Sequence, residues 1–132
     1  MEDCKQSGKG KYDVEFDELK NFEFMQMNAY TLDTVNKFND ETIDYLIDDA
    51  THFVNDQIKC LSLYYPKIKK SGKVILEDVG FISPGGHEKE YRCAEAIEKI
   101  RQKSKDLYNF KLLDLRDKTE CGYSVLIELQ KR

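Results

Sequence analysis

The residues best suited to bind a ligand lie around Gly85 and Gly86, between an apolar run and a segment with helical periodicity. At the start of a helix, residues without side chains leave backbone N–H groups open to an anion. His87 lies beside them, and Lys89 and Arg92 follow and can donate charged hydrogen bonds to a phosphate or carboxylate. The pattern predicts a site for a nucleotide or another anionic small molecule at these five residues.

The glycine pair lacks the spacing of an established phosphate-binding motif. A P-loop requires G-x-x-x-x-G-K-[ST] and a dinucleotide fold requires G-x-G-x-x-G, and neither pattern occurs in this chain. Glu88 and Glu90 place negative charge where an anion would lie. Because glycine and proline are common in ordinary turns, a plain connection between a strand and a helix is the simpler interpretation.

A second group of side chains recurs at intervals of four, namely Asp44, Asp48 and His52, with Asp49 beside them. On a helix this spacing would present carboxylate and imidazole groups on one face, and His87 could complete a metal site from another helix. The same face lies away from the apolar stripe, so we expect it to face water. We therefore predict no metal or other cofactor, and assign these residues to a charged surface that contacts a protein partner.

Tyr64 and Tyr65 precede Pro66 and the lysine-rich stretch 67–70. Aromatic rings beside cations suit the surface that meets a protein partner or, less well, a single-stranded nucleic acid. The alternative is that the rings cover the core while the lysines bury their stems against them.

Composition narrows the classes of function. A chain of 132 residues with 40% hydrophobic and 35% charged residues is typical of one globular domain, and a net charge of −4 argues against nucleic acid as the main partner. No apolar run reaches the roughly 20 residues of a membrane span, and the N-terminus lacks the apolar stretch of a secretion signal. We expect a cytoplasmic protein without membrane contact. An enzyme is the weaker expectation, since neither histidine adjoins a serine or cysteine in a known nucleophile motif.

Hydrophobic periodicity predicts the order of the secondary structure elements. Residues 1–10 are predicted to be a flexible tail and residues 11–132 a single α+β domain. The predicted elements are a hairpin over 12–16 and 22–24, a short helical turn near 31–38, a long helix from Asp40 through Leu61, a strand over 73–83 with a bulge near Glu77, a helix after His87, and strands over 110–115 and 123–130. The order ββ(α)αβαββ predicts a mostly antiparallel sheet of about five strands with two main helices packed on one face. A parallel crossover over residues 73–115 is the alternative.

The sequence therefore favours a small intracellular non-enzymatic protein that binds a macromolecule as a regulator, inhibitor or adaptor. The second hypothesis is a small-molecule module that binds an anion at Gly85 and Gly86. A metal-dependent enzyme built on His52 and His87 comes third. Exposed hairpin edges would also allow a homo-oligomer.

Overall fold

A computed structural model of the chain describes residues 20–80, 89–115 and 125–132, with side chains from Ala94 onward in the second range. It is an α+β fold with a four-stranded mixed sheet and, over these residues, three α-helices. The elements in chain order are α1 (Leu32–Val35), β1 (Ile43–Asp48), α2 (Val54–Tyr64), a 3-10 helix (Tyr65–Lys67), β2 (Ile68–Leu76), α3 (Lys89–Ser104), β3 (Tyr108–Asp114) and β4 (Val125–Lys131). The predicted tail and the first strand of the predicted hairpin lie outside the described residues, whereas residues 21–26 are described and form no strand.

The sheet is mixed because it combines one parallel pair of strands with two antiparallel pairs. The strand order is β1-β2-β4-β3, in which β1 and β2 are parallel and β4 is antiparallel to both β2 and β3. A parallel pair needs a crossover connection, and α2 supplies it between β1 and β2. The expected antiparallel sheet of about five strands is thus corrected to four mixed strands, although the antiparallel pair at the end of the chain is confirmed.

The predicted long helix ending at Leu61 is wrong in its first half. Its first turns form β1, and α2 begins only at Val54. An apolar run as short as that of β1 fits the period of either a helix or a strand, and its alternate Tyr45 and Ile47 are residue types that favour strands. His52 has a φ of 61°, which a right-handed helix does not allow. The helix therefore starts after His52.

β2 begins and ends earlier than the strand predicted over 73–83, whose last residues lie outside the described part of the chain. The irregularity expected near Glu77 lies at the start of β2 instead, where pairing with β1 skips several residues after Ile68. A Cβ atom at Gly72 would lie 2.7 Å from the Ile68 side chain and 2.8 Å from a backbone carbonyl oxygen. This irregular segment therefore requires glycine at that position.

One hydrophobic core joins a face of the sheet to α2 and α3, which contact each other. β4 buries alternate residues, as its sequence predicts, and α3 confirms the second predicted helix. The buried apolar side chains of these elements are Cys60, Leu61, Tyr64, Ile68, Val74, Leu76, Ala96, Ile100, Tyr108, Val125, Ile127 and Leu129. Within the described ranges, none of the helices combines the length and apolarity needed to cross a membrane.

Candidate functional site

Acidic side chains gather where β1 and β2 end. Because these strands are parallel, their carboxyl ends lie at the same edge of the sheet, and the Glu77 N–H donates to the Asp48 carbonyl oxygen at 3.0 Å. Asp49 follows β1, and Glu77 and Asp78 follow β2. In open sheets with parallel strands, ligands commonly bind at this edge. We call Asp49, Glu77 and Asp78 the acidic end.

His52 lies among the residues of the acidic end. Its Nε2 is 3.8 Å from Asp49 Oδ1 and 3.9 Å from Asp78 Oδ2, and its Nδ1 is 3.4 Å from the Glu77 carbonyl oxygen. His52 and Asp78 both have positive φ angles, 61° and 48°, a conformation in which histidine and aspartate are enriched. The two loops that follow β1 and β2 thus place one imidazole against two carboxylates.

Asp49, His52 and Asp78 provide three possible metal ligands, since one atom from each side chain lies within 4.8 Å of the others. Carboxylate and imidazole groups suit divalent transition metals. When protonated, the imidazole would instead neutralise part of the negative charge around it. Of the set weighed from the sequence, Asp49 and His52 lie together, whereas Asp44 accepts a hydrogen bond from Lys69 Nζ at 2.9 Å and Asp48 is buried. His87 lies outside the described residues.

The carboxylates of the acidic end lie close enough to affect one another electrostatically. Burial raises the pKa of Glu77, and the negative charges of Asp49 and Asp78 raise it further, against a smaller opposite effect of His52. Over the ranges that the structure describes, no lysine or arginine forms an ion pair with these three carboxylates. Such a region attracts cationic groups.

Asp48 differs from these carboxylates because its side chain is only 6% exposed. Its Oδ1 accepts a hydrogen bond from the Tyr30 hydroxyl at 2.7 Å and one from the Ala50 N–H at 3.3 Å. Among the described residues, its Oδ2 has no N–H or O–H donor. Burial, followed by the hydrogen bond to Asp48 and its charge, raises the pKa of Tyr30. The expectation that Asp48 faces water from a helix is therefore wrong, because it ends a strand whose last side chain turns inward.

A cavity of about 290 Å³ lies beside Asp48, between residues 29–30, the end of β1 and α2. Cys60 and Tyr64 of α2 line it from the inside and are buried, whereas Asp49 lines it and is exposed. The cavity thus leads from the surface next to the acidic end to the buried carboxyl group.

The predicted pair of tyrosines belongs to the core rather than to an open aromatic surface. Tyr64 is 4% exposed and its hydroxyl donates to the Ala29 carbonyl oxygen at 2.7 Å. Tyr65 is half-buried, with its ring edge-on to Tyr108 at 5.6 Å and 4.3 Å from Lys131 Nζ. Of the two interpretations, the core one describes Tyr64, because a buried ring cannot meet a partner.

Three large apolar side chains of the segment predicted as one long helix are exposed, and two of them, Ile47 and Phe53, were expected on its buried stripe. Tyr45 is 67%, Ile47 58% and Phe53 70% exposed. A helix would have turned Ile47 and Phe53 toward the core. The sequence signal that could have indicated a strand is the pair of strand-favouring residues Tyr45 and Ile47 at alternate positions.

The anion site expected at Gly85, Gly86 and His87 falls outside the described residues. Lys89 is the first residue of α3 and Arg92 lies in its first turn, but their side chains are not among those described. The anion-binding function stays a prediction from the sequence.

Comparison of the chain with protein-family models, curated proteins and solved structures finds no match. The structure shows a small α+β fold with a mixed sheet and a group of carboxylates at one edge of that sheet. A functional proposal therefore depends on the chemistry of that edge.

Proposed function

We propose that this protein is a small intracellular binding protein without catalytic activity, a regulator, inhibitor or adaptor, and that it binds a basic protein through the acidic end. The observation that carries the proposal is the group of carboxylates that no lysine or arginine of the described residues neutralises. Charge complementarity of this kind steers association and excludes wrong partners.

The exposed apolar side chains support the same surface. Tyr45 and Ile47 lie on β1, and Phe53 lies one residue after His52 in the loop that carries Asp49. Aromatic residues are enriched at the centres of protein interfaces, where burying them contributes much of the affinity. Phe53 caps α2 without a side-chain hydrogen bond, so its ring has no evident role in the helix. A basic partner with an apolar patch would meet both parts of this surface.

The test compares two double variants of equal charge for the proteins that each retains from a cell extract. The double variant Asp49→Asn/Asp78→Asn removes two carboxylates of the acidic end, whereas Asp40→Asn/Asp44→Asn removes two that form ion pairs with lysines at 2.6 and 2.9 Å. Both variants change the net charge equally. Each immobilised protein is exposed to a cell extract, and retained proteins are quantified by mass spectrometry at two salt concentrations.

We expect a basic protein that the wild type and the Asp40/Asp44 variant retain and that the Asp49/Asp78 variant loses, with retention falling as salt rises. If both variants retain the same proteins in the same amounts, the acidic end is not the binding surface. A second comparison tests the apolar part, since Phe53→Ala should lose the same protein whereas Phe24→Ala, which removes a ring that is 74% exposed elsewhere, should keep it.

A further inference from the structure

The cavity beside Asp48 contains a buried acceptor atom without a strong donor. Among the described residues, Oδ1 of Asp48 receives two hydrogen bonds and Oδ2 receives none from an N–H or O–H group, although the side chain is 6% exposed. The Cys60 thiol, a weak donor, also interacts with this carboxyl group and does not replace a strong donor. The large majority of buried side-chain polar atoms in folded proteins have a partner, so a carboxylate oxygen that lacks one at a cavity calls for an explanation. A donor that enters the cavity would provide that partner.

The lining determines which donor fits. Two tyrosine rings, Tyr30 and Tyr64, and the Cys60 thiol lie around the carboxyl group, and none of the described residues that line the cavity is a lysine, arginine or histidine. Aromatic faces attract cations, and a buried carboxylate forms its strongest hydrogen bonds with a charged donor. We propose that this cavity binds an aliphatic ammonium or guanidinium group, whose charged head donates a hydrogen bond to Asp48 Oδ2 while its carbon stem contacts the tyrosine rings.

Other ligand classes fit less well. An anion entering the cavity would meet the charge of Asp48 and, at the mouth, that of Asp49. At about 290 Å³ the cavity lies at the lower end of the volumes of small-molecule sites, which favours a small ligand over a nucleotide. The space suits one extended side chain or one small amine.

The inference rests on the proposed function in one respect, since a lysine or arginine side chain of the basic partner is one source of such a group. The acidic end lies at the mouth of the cavity through Asp49, so a cation attracted there has a path inward to Asp48. A free small-molecule amine is the other source. Both share the same recognition chemistry, and different probes separate them.

The test follows the backbone amide signals of the cavity residues by NMR while n-butylammonium chloride is added to the full chain. 1-Butanol serves as the neutral probe of the same length. Asp48→Asn removes the proposed acceptor, and Asp44→Asn is the matched control, because it removes an exposed carboxylate that pairs with Lys69 and does not line the cavity. We expect saturable shifts at residues 29–30, 48–50, 60 and 64, and an affinity lower by at least about tenfold for 1-butanol and for Asp48→Asn, as the loss of a charged hydrogen bond implies. Asp44→Asn should change the affinity by no more than about twofold, because an exposed charge contributes little.

The result that overturns the proposal is equal binding of n-butylammonium and 1-butanol, or no saturable shift with n-butylammonium. This comparison uses the wild type and so decides the question even if Asp48→Asn fails to fold. N-acetyl-lysine N-methylamide then distinguishes the sources: tighter binding than n-butylammonium indicates a partner's side chain, and exclusion of this larger probe indicates a free amine. If the cavity binds no cation while the Asp49/Asp78 variant still loses its partner, the proposed function stands and only this inference fails.

Discussion

Replacing Tyr30 by phenylalanine should destabilise the fold chiefly through the lost hydrogen bond to Asp48, since the further interaction of the hydroxyl with Thr51 has the smaller effect on its pKa. The Tyr30 hydroxyl donates to Asp48 Oδ1 at 2.7 Å, and the phenylalanine ring would keep the packing of a side chain that is 9% exposed. A hydrogen bond to a charged group contributes about 1.5–3 kcal/mol to stability. The Asp48 carboxyl would keep only the Ala50 N–H, at 3.3 Å. We therefore expect the free energy of unfolding to fall by about 1.5–3 kcal/mol.

Tyr64→Phe is the matched control for this substitution. Its hydroxyl donates to the Ala29 carbonyl oxygen, also at 2.7 Å, so it ties the same segment to the core through a neutral acceptor. A bond between neutral groups contributes about 0.5–1.5 kcal/mol. The assay is urea unfolding at pH 7, with the free energy taken from the midpoint and slope of each transition. Because neither variant changes the buried apolar area, the slope should match that of the wild type.

The reasoning is refuted if Tyr30→Phe is no more destabilising than Tyr64→Phe. A double-mutant cycle with Asp48→Asn provides a second check, since the two changes should couple if the hydrogen bond to the carboxylate is responsible. Additive losses from Tyr30→Phe and Asp48→Asn would show that the hydroxyl acts on something other than Asp48.

The remaining predictions concern the core and the irregular segment of β2. Burial raises the pKa values of Cys60 and Tyr108 in the folded protein, so both groups favour the folded state in their neutral form. Their contribution to the free energy of unfolding is therefore complete below the unfolded pKa values of about 8.5 and 10 and is lost as pH rises above them. The loss is up to about 1.4 kcal/mol per pH unit for each group. Urea unfolding between pH 7 and 11 should show this decline, and an equally steep decline in Tyr108→Phe would contradict it. Gly72→Ala should lose about 1–3 kcal/mol because its Cβ would lie 2.8 Å from a backbone carbonyl oxygen, and an unchanged urea midpoint would argue against that contact. Lys131→Met should lower the free energy of unfolding by about 2 kcal/mol in the same assay, since Nζ donates to two backbone carbonyls at 2.9 Å. Lys131→Arg keeps the charge and the donors and should lower it less, whereas an equal loss would point to the packing of the carbon stem.

The second half of the chain was predictable because its signals are local. Val125, Ile127 and Leu129 alternate with half-buried residues, and Ala96 and Ile100 recur at helical spacing. Both patterns are long enough to distinguish the helix period of 3.6 residues from the strand period of 2. The α+β class, α3 and the antiparallel pair of β3 and β4 are accordingly confirmed.

The candidate site was predictable only in part. The sequence analysis singled out Asp49 and His52, but for a helix face that does not exist, and it missed Asp78 because that residue comes from another strand 29 positions away from Asp49 in the numbering. Carboxylates are frequent in an acidic chain, so spacing alone cannot show which of them meet. The parallel pairing of β1 with β2 brings these side chains together.

The sequence by itself determined the class of the fold, the long helix α3 and the last two strands, since each depends on the period of neighbouring residues. Only the tertiary structure decided whether residues 43–48 form a helix or a strand, because pairing with β2 supplies hydrogen bonds that a local pattern cannot specify. Because these residues form a strand, Asp48 turns inward to the hydroxyl of Tyr30, which lies 18 positions earlier in the chain, and Tyr45 and Ile47 turn outward. Side-chain direction has a period of 3.6 in a helix and 2 in a strand, so one change of element moved the charge and the apolar surface on which the proposed function depends.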